Sequence, residues 1–143
     1  MTARLTSMLG VLLLLGAGCV GSPGLSVLIE APTSVVEGED FNLVVRIENG
    51  TASDRVLEEV FIDEGLYDGI YTNAVTPEIV DDTFSKPGVY SAIFEDVVVG
   101  AGDAQEIVFD MNAVWAGDYL GNVQVCFEGN ECLTESVGLR ITQ

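Results

Sequence analysis

Apolar and polar side chains alternate with a period of two along most of the chain beyond residue 25, the signature of strands with one buried face. Phe41, Leu43, Val45 and Ile47 interleave with Asn42, Val44, Arg46 and Glu48. This run is entered through the turn-like "VVEGED" and left at "ENGTASD", which is rich in turn formers. Upstream, Leu25, Val27 and Ile29 alternate in "GLSVLIEAP" until Pro32 ends the run. Downstream, "RVLEEVFID" sets Val56, Val60 and Ile62 on one face, and "GLYDGIYTNAV" and "EIVDDTF" are shorter and less regular. "VYSAIFEDVVV" follows the turn "SKPG", and "QEIVFDMNAV" aligns Ile107, Phe109 and Met111. "DYLGNVQVCF" and "CLTESVGLRIT" complete the series. About eight or nine short strands with turn signals between them predict an all-β sandwich of two antiparallel sheets, because a half-polar strand must hide its apolar face against a second layer. "DRVLEEVFIDEGL" has some helical spacing, but its β-branched residues and Phe61 favour a strand, so no helix is expected.

The last hairpin can be registered residue by residue. In "VCFEGNECL", a three-residue turn at Glu128–Asn130 sets Cys126 opposite Cys132 and Val125 opposite Leu133. Gly129 and Asn130 tolerate the positive φ that such a turn needs. Tyr119, Val123, Val125 and Phe127 then share a face with Leu133, Val137, Leu139 and Ile141, with Glu131 and Glu135 as polar exceptions. Opposed cysteines on neighbouring strands can reach disulfide geometry. Closing so short a loop adds about 2 kcal/mol in the chain-entropy account. A redox pair or a metal site is the alternative. The spacing is neither C-x-x-C nor a zinc pattern, and the chain has no histidine.

The third cysteine, Cys19, ends an apolar leader. Arg4 supplies positive charge, Leu12–Leu15 is an unbroken leucine run, and Gly16, Ala17 and Gly18 are small. Basic, apolar and small in that order is the layout of a secretory signal. The run falls short of the roughly 20 apolar residues that a spanning helix needs. Gly16-Ala17-Gly18-Cys19 resembles the bacterial lipoprotein lipobox, Leu-Ala-Gly-Cys, with Gly16 in place of the aliphatic residue. That resemblance implies a diacylglyceryl group on Cys19, which becomes the mature amino terminus. The expected division is a signal peptide over 1–18, a lipidated cysteine and tether over 19–24, and one domain over 25–143. The expected location is the exported side of the cell envelope, held to the membrane by lipid.

Charge changes the list of partners. Twenty-three acidic residues face five basic ones, a formal net charge of −18. Such a surface repels phosphates and anionic headgroups, so nucleic acid is not an expected partner. Disorder is excluded by the apolar alternation. Adaptation to a salty habitat explains acids spread over the whole chain. Calcium binding is the other reading, with Asp63, Glu64, Asp68, Asp81 and Asp82 as candidate oxygen ligands in "DEGLYDG" and "EIVDD". No D-x-D-x-D-G loop accompanies them, and no cofactor is expected.

Without histidine the commonest general base is missing. Adjacent carboxylates such as Glu58 and Glu59 or Glu95 and Asp96 point to opposite faces of a strand, so adjacency does not make a catalytic dyad. The chain therefore reads as a non-enzyme. Asn49-Gly50-Thr51 matches a glycosylation sequon and, in a lipoprotein, reads as a turn.

"VVEGEDFNLVVRIENG" followed by "AVWAGDYLGNVQVCF" resembles the immunoglobulin-like modules of bacterial surface proteins, including the CARDB type. Gly38, Asn49, Gly50, Ala116, Gly117 and Tyr119 carry the likeness. It implies an immunoglobulin-like sandwich in which Tyr119 is a corner tyrosine bonded to backbone. Trp115 fits either core or surface. A binding or structural role toward an envelope or extracellular protein follows, with a calcium-dependent adhesion or carbohydrate-binding module as the alternative. From Leu66 to Val80 the only acids are Asp68 and Glu78, and the stretch holds Tyr67, Ile70 and Tyr71. These three either form an interface along an edge strand or cover the core.

Cys19→Ser separates the lipoprotein reading from plain secretion. Metabolic labelling with a clickable fatty acid is expected to mark the wild type and leave the variant unmarked.

Overall fold

The protein is ten strands and one helical turn: β1 Leu25–Glu30, β2 Ser34–Val36, β3 Asp40–Asn49, β4 Arg55–Ile62, α1 Glu64–Tyr67, β5 Ile70–Thr76, β6 Asp81–Lys86, β7 Val89–Val99, β8 Ala104–Ala113, β9 Gly117–Phe127 and β10 Glu131–Thr142. A computed structural model describes residues 24–86 and 88–143, with residues 85 and 86 described by backbone alone. Cys19 and the leader lie outside the described residues. A four-stranded sheet, β1-β3-β8-β5, faces a six-stranded sheet, β2-β10-β9-β4-β7-β6. The fold is an immunoglobulin-like β-sandwich.

The period-two pattern becomes the core directly. Phe41, Leu43, Val45 and Ile47 on β3 are buried, and Ile107, Phe109 and Met111 on β8 lie beside them in antiparallel register. Val123, Val125 and Phe127 on β9 and Leu133, Val137, Leu139 and Ile141 on β10 form the opposing face.

Three details depart from the sequence pattern. β2 is an additional three-residue strand that pairs in parallel with β10, so one pair in the sandwich is not antiparallel. A bulge between Leu57 and Glu59 turns Leu57, not Val56, into the core beside Val60 and Ile62. The helical spacing near residue 64 is realised as one turn, α1: the Asp63 carbonyl accepts hydrogen bonds from the Leu66 and Tyr67 N–H groups, and Leu66 is fully buried.

The expected corner is present. The Tyr119 hydroxyl donates to the Trp115 carbonyl at 2.9 Å. Its ring lies over Gly69 and Gly117, and a side chain at Gly69 would overlap it. Trp115 itself is exposed. In the last hairpin Cys126 and Cys132 are opposite and bonded, with Cα atoms 4.1 Å apart. Gly129 and Asn130 have φ of 88° and 62°, as the turn demands.

The strand registers fix which loops share an end. Leu25 pairs with Asn49, Glu48 with Ala104, and Arg55 with Val99. Gly24, the turn at 50–54, the turn at 100–103 and the hairpin tip at 128–130 therefore lie together. The opposite end carries the loops at 31–33 and 37–39, α1 and Trp115.

The near end is tied by Asn49, which is 1 % exposed. Its amide nitrogen donates to the carbonyls of Ser53 and Val99, each at 2.9 Å. Its amide oxygen accepts from the Thr51 N–H and hydroxyl. The sequon asparagine is thus a buried knot joining three segments. Asn49→Ala removes the amide donor to the buried Val99 carbonyl and the acceptor of the Thr51 N–H and hydroxyl, and is expected to cost about 2 kcal/mol in urea unfolding.

Candidate functional site

Because the sheets differ in width, part of the wider one is left uncovered. β6 is the outer strand of the six-stranded sheet and β5 the outer strand of its partner. On β6, Asp82 pairs with Ala92 and Phe84 with Tyr90, and both partners are core residues. Cross-strand partners point to the same side. Asp82 and Phe84 therefore project from the inner face of the sheet. Yet Phe84 is 65 % exposed. It is an inner-face aromatic that the narrower sheet does not cover.

An aromatic cluster floors the seam between the two edges. Tyr67 stacks on Tyr90 with centroids 4.7 Å apart and planes 2° from parallel. Phe84 meets Tyr67 at 5.8 Å and Tyr90 at 6.0 Å, edge-on to both. Such arrangements suit the ring quadrupole. Their hydroxyls are engaged: Tyr67 donates to Thr72 Oγ1 on β5 at 3.2 Å, and Tyr90 donates to Asp82 Oδ2 at 3.5 Å. Burial raises the phenol pKa of both, and for Tyr90 pushes it up to about 12, with the Asp82 charge adding to the effect.

The interface candidates separate. Ile70 is buried in the core, Tyr67 is half-buried in the cluster, and Tyr71 is 60 % exposed on β5. β5 holds no charged residue and is broken by a bulge between Thr72 and Ala74, a device that discourages strand pairing. Sequence reading passes over Phe84 and Tyr90; the available signal is the alternate spacing of Asp82 and Phe84 in "EIVDDTF".

The calcium candidates are not brought together. Asp63 accepts from Asn122 Nδ2 at 3.2 Å through Oδ2, while its Oδ1 is buried against Gly121 without a hydrogen-bond partner. Glu64 packs on Gly88, Asp68 follows α1, and Asp81 and Asp82 point to opposite faces of β6. Among the described residues no group of three or more His, Cys, Asp or Glu side chains could hold a metal ion. The Glu58–Glu59 pair is also split: Glu59 accepts a hydrogen bond from the buried Ser91 hydroxyl, and Glu58 is exposed. No helix among the described residues is long and apolar enough to cross a membrane.

No family model matches the chain, and no curated protein sequence matches it. Solved structures do resemble it. A cohesin module from a Clostridium perfringens family 33 glycoside hydrolase has a TM-score of 0.58 at 13 % identity, covering 83 % of this chain and 97 % of that one. A chain described as BspA_C_WT has a TM-score of 0.55 at 14 % identity, covering 81 % of this chain and 50 % of that one. A CARDB domain from Pyrococcus furiosus has a TM-score of 0.45 at 16 % identity, covering 87 % of this chain and 99 % of that one. Identities this low show the fold alone.

The Tyr90 phenol supplies a direct check on the seam. The folded chain holds this proton more tightly than the unfolded chain, so its stabilising effect is complete below about pH 10 and is lost as pH rises through about 12. Alkaline ultraviolet titration is expected to show late-ionising phenols, the latest of which Tyr90→Phe removes.

Proposed function

We propose that the chain is a non-catalytic protein-binding module, held by lipid at Cys19 on the exported side of the membrane, that presents the β5–β6 seam to an envelope or extracellular protein. The observation that carries this reading is the uncovered inner-face Phe84 against Tyr67 and Tyr90, beside two outer strands. A solvent-exposed aromatic over a rigid aromatic floor is the form of a binding anchor, since such residues dominate interface energetics. Outer strands offer backbone hydrogen bonds to an incoming segment.

Support from chemistry is of the same kind. The chain has no histidine, the commonest general base. A tether leaving Gly24 holds the sandwich by one end and leaves its long side clear.

The test uses the intact lipidated protein in detergent-solubilised envelopes, with in-situ crosslinking to recover the partner. Phe84→Ser is expected to weaken recovery by about 30-fold, corresponding to roughly 2 kcal/mol for a central anchor. Its melting temperature should fall by only a few degrees, because the ring is mostly exposed and gives up two edge-on aromatic contacts. Trp115→Ser, at the far end, should leave recovery intact. Retention by Phe84→Ser together with loss by Trp115→Ser would move the interface to the far end and overturn this reading.

A further inference from the structure

We infer that the outward face of the four-stranded sheet binds a neutral hexopyranose glycan, with the Tyr71 ring as its platform. The site lies on the other face of β5 from the Tyr67–Tyr90 floor and stands independently of the protein-binding reading.

Tyr71 follows the buried Ile70 and precedes Thr72, whose hydroxyl donates inward to Met111 Sδ at 3.3 Å. Alternation therefore turns the Tyr71 ring outward. The residue is 60 % exposed and stands outside the aromatic cluster. Tyr71 pairs with Asn112 on β8, and Asn112 pairs with Asp40 on β3. Asn112 sits between the buried Met111 and Ala113, and Asp40 precedes the buried Phe41. The three therefore make one outward row across three strands. Two interstrand spacings give that row a length of about 10 Å, the reach of a disaccharide.

The β5 bulge adds a fourth member. Thr72 pairs with Met111 and Ala74 with Asp110, so Asn73 is the extra residue between them. A bulge re-aims a side chain, and Asn73 Nδ2 reaches over β8 to donate to Asp40 Oδ1 at 3.2 Å. Asn112 Nδ2 donates to the same oxygen at 2.9 Å and to the Gly38 carbonyl at 3.1 Å. Both partners of Asn112 are acceptors only, which fixes the orientation of its amide. Two amides and a carboxylate are thus held in place beside an exposed ring, and a set already held needs little further ordering to bind.

The capacity left over is rich in acceptors: Asp40 Oδ2, the two amide oxygens and one Asn73 N–H. Such a set receives the hydroxyl hydrogens of a sugar. The C–H face of a pyranose is apolar and slightly positive, and it lies flat on the negative face of an aromatic ring. Its hydroxyls then project sideways, toward the amides and the carboxylate. Charge narrows the ligand, since a chain of net charge −18 repels sulfated and uronic acid glycans. A metal ion fits less well, because two N–H groups already hold Asp40 Oδ1.

The test is calorimetry on the intact chain, in a detergent without a sugar headgroup. High salt screens charge attraction and leaves a neutral contact in place. The neutral probes are cellohexaose, mannohexaose and N-acetylated chitohexaose, with hexagalacturonate and a chitosan hexamer as anionic and cationic controls. Saturable binding of a neutral hexamer is expected. Tyr71→Ala should weaken it by about tenfold, whereas Tyr71→Phe should retain it, because the ring and not the hydroxyl is the platform. Asn73→Ala should weaken it by several-fold and serves in place of Tyr71→Ala if that variant does not fold. Phe84→Ser, in the seam, should leave it unchanged.

Binding of no neutral hexamer, binding of the chitosan hexamer alone, or equal binding of hexagalacturonate overturns the inference. So does a neutral-glycan affinity that Phe84→Ser lowers and Tyr71→Ala does not, which would put the sugar in the seam. If Tyr71→Ala loses the crosslinked protein partner and no neutral hexamer binds, the patch is a protein contact and the inference falls.

Discussion

The core forms where the apolar face of a four-stranded sheet is pressed onto that of a six-stranded one, and every other feature is held in place by that contact. Each large side chain fully withdrawn from water, such as Phe109, Phe127 or Ile47, contributes about 1.5–3 kcal/mol. The same contact leaves Phe84 uncovered, since a narrow layer cannot shield a wide one. α1 fills part of the gap by inserting Leu66 and Tyr67 at its end, and beyond Tyr67 the Phe84 ring lies in solvent. The aromatic floor is therefore a by-product of sheet width, rigid because its lower members belong to the core.

Much of this was legible in the alternation of side chains. The β3 and β8 rows, the whole β9–β10 register and the cysteine pair follow from a period of two plus one turn of known length. Tyr119 was legible from its place after Ala116-Gly117. What the pattern could not carry was relative position between strands. The bulge at Leu57 shifts a register by inserting residues in β7, around Asp96 with its positive φ, and no local spacing announces which partner takes the strain. β2 has too few residues for alternation to register. For the seam, Phe84 reads as an ordinary inward residue of a strand. That nothing covers it depends on how many strands the other sheet has, which is a property of topology and not of "EIVDDTF".

Acidity shapes the surface without deciding the fold. Arg46 bridges Glu48 and Glu106 across β3 and β8, and Arg140 meets Asp118 across β10 and β9, all on exposed faces where solvent screens such pairs. The remaining carboxylates repel one another, and salt relieves that repulsion by screening it. The outer strands are guarded in two different ways. β5 is uncharged and relies on its bulge, whereas β6 carries Asp81, Asp82 and Lys86 and has its register shift only at its end, between Phe84 and Lys86.

The position of Gly24 has a mechanical consequence. Its carbonyl accepts from the Gly50 N–H at 2.7 Å, and β1 begins at the next residue, zipped to β3 from Leu25↔Asn49 to Glu30↔Val44. A load entering at Gly24 along the sandwich axis would act parallel to that strand pair. The interstrand hydrogen bonds would then be strained together in shear, and not opened one after another as by peeling. β6, at the other edge of the opposite sheet, is the strand farthest across the sandwich from this entry point. Tension applied between Gly24 and β6 would traverse both layers and the core between them, making the whole sandwich, and no single loop, the element that resists.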